Sequence, residues 1–350
     1  MVAKILFYRK KNYFRCMILV TGGTGLVGAH LLYHLTQEND TIRAIYRTKE
    51  SLEKVKNVFS FYTDIISPSF DKIEWIQADI TDVPSMIPAF SDVEYVYHCA
   101  AFISFDPRDY IEIRKVNIHG TAIIANLSID AKVKKLCFVS SIATVGDSIN
   151  GHLITEENER NNETKNYGYS ITKFGAEMEV WRASQEGVDV VIVNPGVILG
   201  GGFFNSGSGT LFTKVHNGMP FYTEGVTGFV GVEDVIKAMI GLMNSTIKNE
   251  RFVLVSENKS FKEVFSKMAI AFGKKPPSIK IGKLVTSIIW RLDWLLTKIT
   301  RKSPFLTKQS AKSAHNKTYY SSEKIEIDLD FSFTKIDKVI AKTVKQFPTL

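Results

Sequence analysis

Met17-Ile-Leu-Val-Thr-Gly-Gly-Thr-Gly-Leu-Val-Gly28 joins a short apolar strand to a glycine-rich turn and then to an amphipathic run, Leu26 to Leu35. Gly22 permits a tight turn, Gly25 lets backbone approach a phosphate, and Gly28 lets helix and strand pack closely. The helix start points its free N–H groups at the same place, so Gly22, Thr24, Gly25, Leu26, Val27 and Gly28 read as a cradle for a pyrophosphate. A GxxGxxG pattern alone is weak and competes with an ordinary glycine-rich turn. The order strand, turn, helix is what gives it weight.

Outward from this stretch, residues 17 to 198 alternate β-branched runs with longer helical stretches, the sequence form of repeated βαβ units. Strands are predicted at 17–21, 41–46, 73–78, 94–99, 135–140 and 189–194, and helices near 26–38, 50–60, 83–90, 109–132 and 167–186. The expected fold class is α/β: a Rossmann-type doubly wound parallel sheet with a smaller C-terminal substrate-binding lobe. We expect a nucleotide-binding domain over 17–199 and the lobe mainly over 200–350. Phe252 to Val255 reads as a further strand, so 233–255 is expected to return to the sheet.

The chain has 350 residues and a formal charge of +8. Lys4, Arg9, Lys10, Lys11 and Arg15 supply five of these charges, and residues 1–16 contain no acid. That segment reads as a basic extension upstream of Met17, expected to be disordered rather than a functional arm. The remaining +3 gives no reason to expect nucleic acid as a partner. Cys16, Cys99 and Cys137 show neither disulfide-framework nor zinc-site spacing, so they are expected to be buried thiols, with no metal. No apolar run approaches the ~20 residues of a bilayer crossing and no cleavable leader is visible, so a cytoplasmic protein is expected.

Tyr169-Ser-Ile-Thr-Lys173 falls in a predicted helix, where four-residue spacing puts Tyr169 and Lys173 on one face. A phenol near pKa ~10 is a sluggish acid at neutral pH. A neighbouring ammonium favours the phenolate, so Lys173 is expected to bring Tyr169 toward working range. Tyr320 and Lys324 repeat the spacing but follow no serine-bearing strand, and are expected at the surface. Tyr167 has Ile171 at +4 and is excluded as the base. Just past the second strand, where an NAD-preferring site would place an acid on the ribose, stands Arg47. A guanidinium there suits the 2′-phosphate of NADP; the competing reading is a solvent-exposed arginine at a strand end.

Further stretches fall into order with these. Asp79-Ile80 ends the third strand, His98-Cys-Ala-Ala101 the fourth, and Asn117-Ile-His-Gly-Thr121 and Asn194-Pro-Gly196 follow. Over residues 17–235 the chain resembles extended short-chain dehydrogenases/reductases of the NAD-dependent epimerase/dehydratase group, nearest the branch of dihydroflavonol 4-reductase and 3β-hydroxysteroid dehydrogenase. The resemblance implies that Asp79 and Ile80 hold adenine, that Ala100 and Ala101 run under the cofactor, and that Asn117 supports the site while Pro195 lies beside the nicotinamide. It implies a proton-transfer set of Ser141, Tyr169 and Lys173, with Tyr169 protonating a carbonyl as hydride arrives and Lys173 also holding the ribose. Ser141 is preferred over Ser140 because it leads into Ile142-Ala-Thr-Val-Gly146. NADP is the expected cofactor, with NAD open.

The leading functional expectation is an NAD(P)-dependent reductase of a ketone or aldehyde, or dehydrogenase of a secondary alcohol. The alternatives are a nucleotide-sugar epimerase with tightly bound NAD and a non-catalytic NADP-binding sensor. Phe102, Phe105, Phe203 and Phe204 are candidates for the wall of a fairly apolar substrate site, although each singly could be core, and His98 reads as structural. Val285, Ile288, Ile289, Leu292, Leu295, Leu296 and Ile299 line one helix face. That helix, 284–300, is expected to pack on the core or line a pocket, with peripheral membrane contact as the alternative. Relatives suggest a homodimer through helices 109–132 and 167–186.

Overall fold

The computed structural model describes residues 16–38, 41–148, 151–160, 168–300, 304 and 306–348. The proposed N-terminal extension apart from Cys16, and Tyr167, lie outside the described residues.

Twelve strands are present among the described residues: β1 (Met17–Thr21), β2 (Ile42–Tyr46), β3 (Ile73–Gln77), β4 (Val93–His98), β5 (Lys135–Val139), β6 (Asp189–Pro195), β7 (Val197–Leu199), β8 (Phe221–Tyr222), β9 (Val226–Gly231), β10 (Glu250–Leu254), β11 (Glu257–Ser260) and β12 (Ile279–Lys280). Seven form one sheet in the order β10-β6-β5-β4-β1-β2-β3, every pair parallel. The chain is therefore a Rossmann-like α/β protein.

Both faces of this sheet are covered, as parallel strands require. Successive side chains of a strand point to opposite faces, and the core divides accordingly. Ile18, Val20, Val191 and Val193 face the side covered by the helices Leu26–Glu38, Glu50–Phe59 and Val232–Asn244. Leu19, Val190 and Ile192 face the side covered by Gly120–Asp130 and Gly168–Gln185. The expected helix over 109–132 is broken in the middle. It runs as Tyr110–Arg114, a π-helical turn at Lys115–His119, and Gly120–Asp130.

After Pro195 the chain leaves the sheet, and Phe212, Phe229, Val264, Met268 and Ile336 gather in a separate small core. It returns at β10, which pairs with β6 through Phe252↔Val193 and Leu254↔Pro195. A three-stranded sheet, β11-β9-β7, joins the two regions.

Candidate active site

Strands β1 and β4 are neighbours, and from them the connections run outward in opposite directions, which opens a crevice at their C-terminal ends. Gly22 has φ +68°, and a Cβ there would lie 2.5 Å from the Ala100 nitrogen, so the turn after β1 is seated on the segment after β4. A Cβ on Gly28 would lie 2.2 Å from the Gly22 carbonyl oxygen. Gly25 differs. Its nearest would-be neighbour is the Gly22 oxygen at 3.4 Å, so the protein's own packing tolerates a side chain there. The helix beginning at Leu26 presents its unpaired N–H groups beside that open position, and Thr24 to Val27 are only half-buried. A pyrophosphate fits this cradle.

The neighbouring strand ends bring up Arg47 and Asp79. Arg47 is exposed immediately after β2, its carbonyl accepting from Gln77 at 3.1 Å. Burial would raise the Asp79 carboxyl, but the Thr81 N–H and hydroxyl, both at 2.8 Å, with the nearby Arg47 and Lys115 charges, hold it below the usual range. Ile80 is buried, and Gly120 leaves room for its side chain.

His98 is buried between the Thr21 and Thr121 hydroxyls, at 2.6 and 2.9 Å, and stacks on Phe138. Burial, helped by the Lys173 charge, lowers its pKa to about 3, which keeps it neutral and structural. Asn117, in the π-helical turn, clamps the segment after β4. Its side-chain oxygen accepts from the Phe102 N–H at 2.8 Å, while its amide donates to the Phe102 carbonyl at 3.0 Å and to the Thr172 hydroxyl at 3.2 Å.

The crevice closes on the Gly168–Gln185 helix. The Tyr169 hydroxyl lies near the Ser141 side chain, which acts to lower its pKa, and Ser141 accepts from the Ala143 N–H at 3.1 Å. Phe105 meets Tyr169 edge to face, centroids 5.6 Å apart, and is itself 44% exposed. Lys173 is buried one turn further on, donates to the Val139 carbonyl at 2.7 Å and lies over the Phe138 ring at 4.3 Å.

The expected electrostatics need correction. Burial pushes the Tyr169 hydroxyl up to about 12, and the Ser141 hydrogen bond only partly opposes this. Lys173 does not bring the phenol toward neutrality. Its ammonium is directed at β5, and burial lowers its own pKa to about 8.

Three further expectations fail. Phe204 is core, packed edge to face against Phe212 and Phe347, and Phe203 packs on the sheet's hydrophobic core, so of the four phenylalanines it is Phe105 that meets Tyr169, while Phe102 is held through its backbone by Asn117. Tyr320 is a half-buried structural residue, not a surface one: it packs against Ile142 and Val145, and burial raises its pKa to about 12. Among its described side chains the Lys283–Thr300 helix contributes none to a hydrophobic core cluster, and Leu284, Val285, Ile288, Leu292, Leu295 and Leu296 are exposed.

Sequence reasoning passed over Glu177. It is fully buried and accepts from Ser140 at 2.6 Å, Thr144 at 2.8 Å and Asn194 at 3.0 Å, with Arg251 at 3.3 Å. This ties Ser140 to a carboxylate and leaves Ser141 to Tyr169. The signal was the continued four-residue step from Tyr169 and Lys173 to Glu177.

Comparison with known proteins agrees with this architecture. The 3-beta-hydroxysteroid dehydrogenase of Mycolicibacterium neoaurum is 24% identical, covering 90% of this chain and 86% of its own. The bifunctional dihydroflavonol 4-reductase/flavanone 4-reductase of Pyrus communis is 28% identical, covering 52% and 54%. The structure of the Bordetella bronchiseptica enzyme WbmG, solved with NAD and UDP, superposes with a TM-score of 0.70 at 18% identity, covering 94% of each chain. The model of the NAD dependent epimerase/dehydratase family matches residues 18–254, and the chain belongs to that family.

Proposed function

We propose that the protein is an NADPH-dependent reductase of a fairly apolar ketone or aldehyde, running in reverse as an alcohol dehydrogenase. The observation that carries this reading is Tyr169 beside Ser141 and one helical turn from buried Lys173, with exposed Phe105 against its ring.

NADPH supplies a hydride when bound. The chain's residues would do the rest. The free N–H groups at the helix start from Leu26 would receive the pyrophosphate, with Gly22 and Gly28 shaping the turn and Gly25 leaving the room for it to approach. Asp79 and Ile80 would hold the adenine, and Arg47 would pair with a 2′-phosphate. Ala100 and Ala101 would line the floor and Pro195 would flank the nicotinamide, while Asn117 keeps the Phe102 segment in place. Ser141 would donate a hydrogen bond to the substrate oxygen, and Tyr169, held protonated by burial, would deliver the proton that the developing alkoxide needs. The buried Lys173 ammonium, next to the same space, would orient the ribose. Phe102 and Phe105 would cover the substrate's apolar side.

Three free cysteines suit a reducing compartment, in keeping with an enzyme of the cytoplasm. Exposed Ile111 and Met178, on the Tyr110–Arg114 and Gly168–Gln185 helices, offer faces for a homodimer.

The test is consumption of NADPH and of NADH by purified protein against carbonyl compounds graded in size and polarity. Turnover with apolar ketones, preferring NADPH, is expected. Arg47→Asp should lower the ratio of NADPH to NADH efficiency by about 10–100-fold, the worth of one charge-assisted contact. An unchanged ratio would remove Arg47 from the cofactor site. Protein purified with tightly held NAD and inert toward every carbonyl would make it an epimerase instead.

A further inference from the structure

The Lys283–Thr300 helix is amphipathic in the reverse of the usual sense. At ~100° per residue its side chains fall into three stripes. Leu284, Val285, Ile288, Leu292, Leu295 and Leu296 occupy one arc of ~120°, and all six are 47–73% exposed. The opposite stripe, which holds the helix to the protein, is polar. Thr286 and Thr297 are buried, the Thr286 hydroxyl meets His315 Nε2 at 2.8 Å, and Asp293 accepts from the Leu306 N–H at 2.8 Å. A helix on a water-exposed surface normally does the opposite, turning its apolar stripe inward.

The third stripe carries charge. Arg291 and Lys298 border the apolar arc, and their cations lie 4.7 Å over Trp290 and 3.8 Å over Trp294. Residues 274–317 contain eleven lysines and arginines and a single acid, Asp293, a net +10. The whole chain carries +8, so everything outside this segment sums to −2. Lys280 is paired with Glu224 at 2.5 Å, and the helix's one acid, Asp293, is turned to the Leu306 N–H, so that among the described residues neither Arg291 nor Lys298 is in an ion pair. A second copy docked through the same arc would set two such segments against each other. The partner must instead be anionic. Among the described residues no helix is long and apolar enough to cross a membrane.

We propose that this helix lies in the surface of an anionic membrane, its leucine and isoleucine arc among the acyl chains and its cations and tryptophans at the headgroups. That is the geometry of a helix bound in the plane of the interface. Cationic charge of this density supplies an attraction that salt screens, while the apolar arc supplies one that it does not. The proposal is independent of the reaction performed in the crevice.

Flotation of the full chain with phosphatidylcholine vesicles, with and without phosphatidylglycerol, tests it. Wild type should float with the anionic vesicles at least about tenfold better than with neutral ones, and added salt should weaken the attachment. A variant with Ile288→Gln, Leu292→Gln and Leu295→Gln changes only exposed side chains, so its melting temperature should stay the same while its vesicle partitioning falls about tenfold or more. Its N-terminal lysines and arginines are unaltered, which separates the helix's contribution from theirs. Failure of wild type to float with either vesicle would overturn the proposal, as would a folded variant that floats equally well. So would lipid-free dimerisation that the three substitutions abolish, since it would make the occupant a second copy.

Discussion

At Tyr169 and Lys173, burial acts on two neighbouring groups in opposite directions. The phenol is pushed up to about 12 and the ammonium down to about 8, because in each case the charged form loses its water. For the carbonyl reduction proposed above, this would keep Tyr169 protonated throughout the neutral range. The charge that titrates near working pH is on Lys173: it is present below about 8 and lost as pH rises through that value. The efficiency kcat/KM for NADPH, which reports groups of the free enzyme, should therefore fall above pH about 8. Lys173→Arg, a cation that does not titrate there, should lose this alkaline limb at whatever activity it keeps; a limb that persists would place the titration on another group. The pairing of Tyr169 with Lys173 was legible in sequence because helical spacing fixes it. Their pKa values were not, since desolvation depends on all the segments packed around them. For the same reason Glu177 went unnoticed: a glutamate within a helix ordinarily faces solvent, and only the convergence of Ser140, Thr144, Asn194 and Arg251 accounts for its burial.

At the scale of elements, the turn between β1 and the Leu26–Glu38 helix separates glycines the fold needs from one, Gly25, that its own packing does not require. Gly28→Ala would drive a methyl to 2.2 Å from a backbone oxygen and should destabilise the protein strongly, read as a fallen melting temperature. Gly25→Ala meets nothing closer than 3.4 Å, so stability should change by less than about 1 kcal/mol while nicotinamide dinucleotide affinity falls at least about tenfold. Equal losses of stability in the two variants would mean that the cradle is merely a packed turn. Periodicity made the seven strands of the main sheet legible to within about two residues, while the short strands β7, β8, β11 and β12 were too brief to show an alternation. It misled for the Lys283–Thr300 helix, because an apolar stripe shows that a helix is amphipathic and not which side its neighbours take. Those neighbours, including the Lys308–Ser313 helix, meet it with polar side chains.

At the scale of the whole molecule, β10 returns from beyond the lobe to pair with β6, and Arg251 on it reaches Glu177 at the back of the active site. The Gly168–Gln185 helix is thereby fastened to a residue 74 positions later in the chain, through a carboxylate sealed from water. Glu177→Ala would strand the bonding groups of Asn194 and Arg251 and should lower stability by about 3–5 kcal/mol, measurable by urea unfolding. A loss below about 1 kcal/mol would show the network to be replaceable by water. The switch point in strand order, the glycine turn and the Tyr169 cluster all converge on one crevice, and the proposed reduction depends on Tyr169 there. The most direct measurement is single-turnover oxidation of NADPH by a reactive apolar ketone, wild type against Tyr169→Phe, with cofactor affinity determined alongside. Unchanged affinity with a rate about 10²–10⁴-fold lower is the expected result; a phenylalanine enzyme that turns over at the wild-type rate would contradict the account.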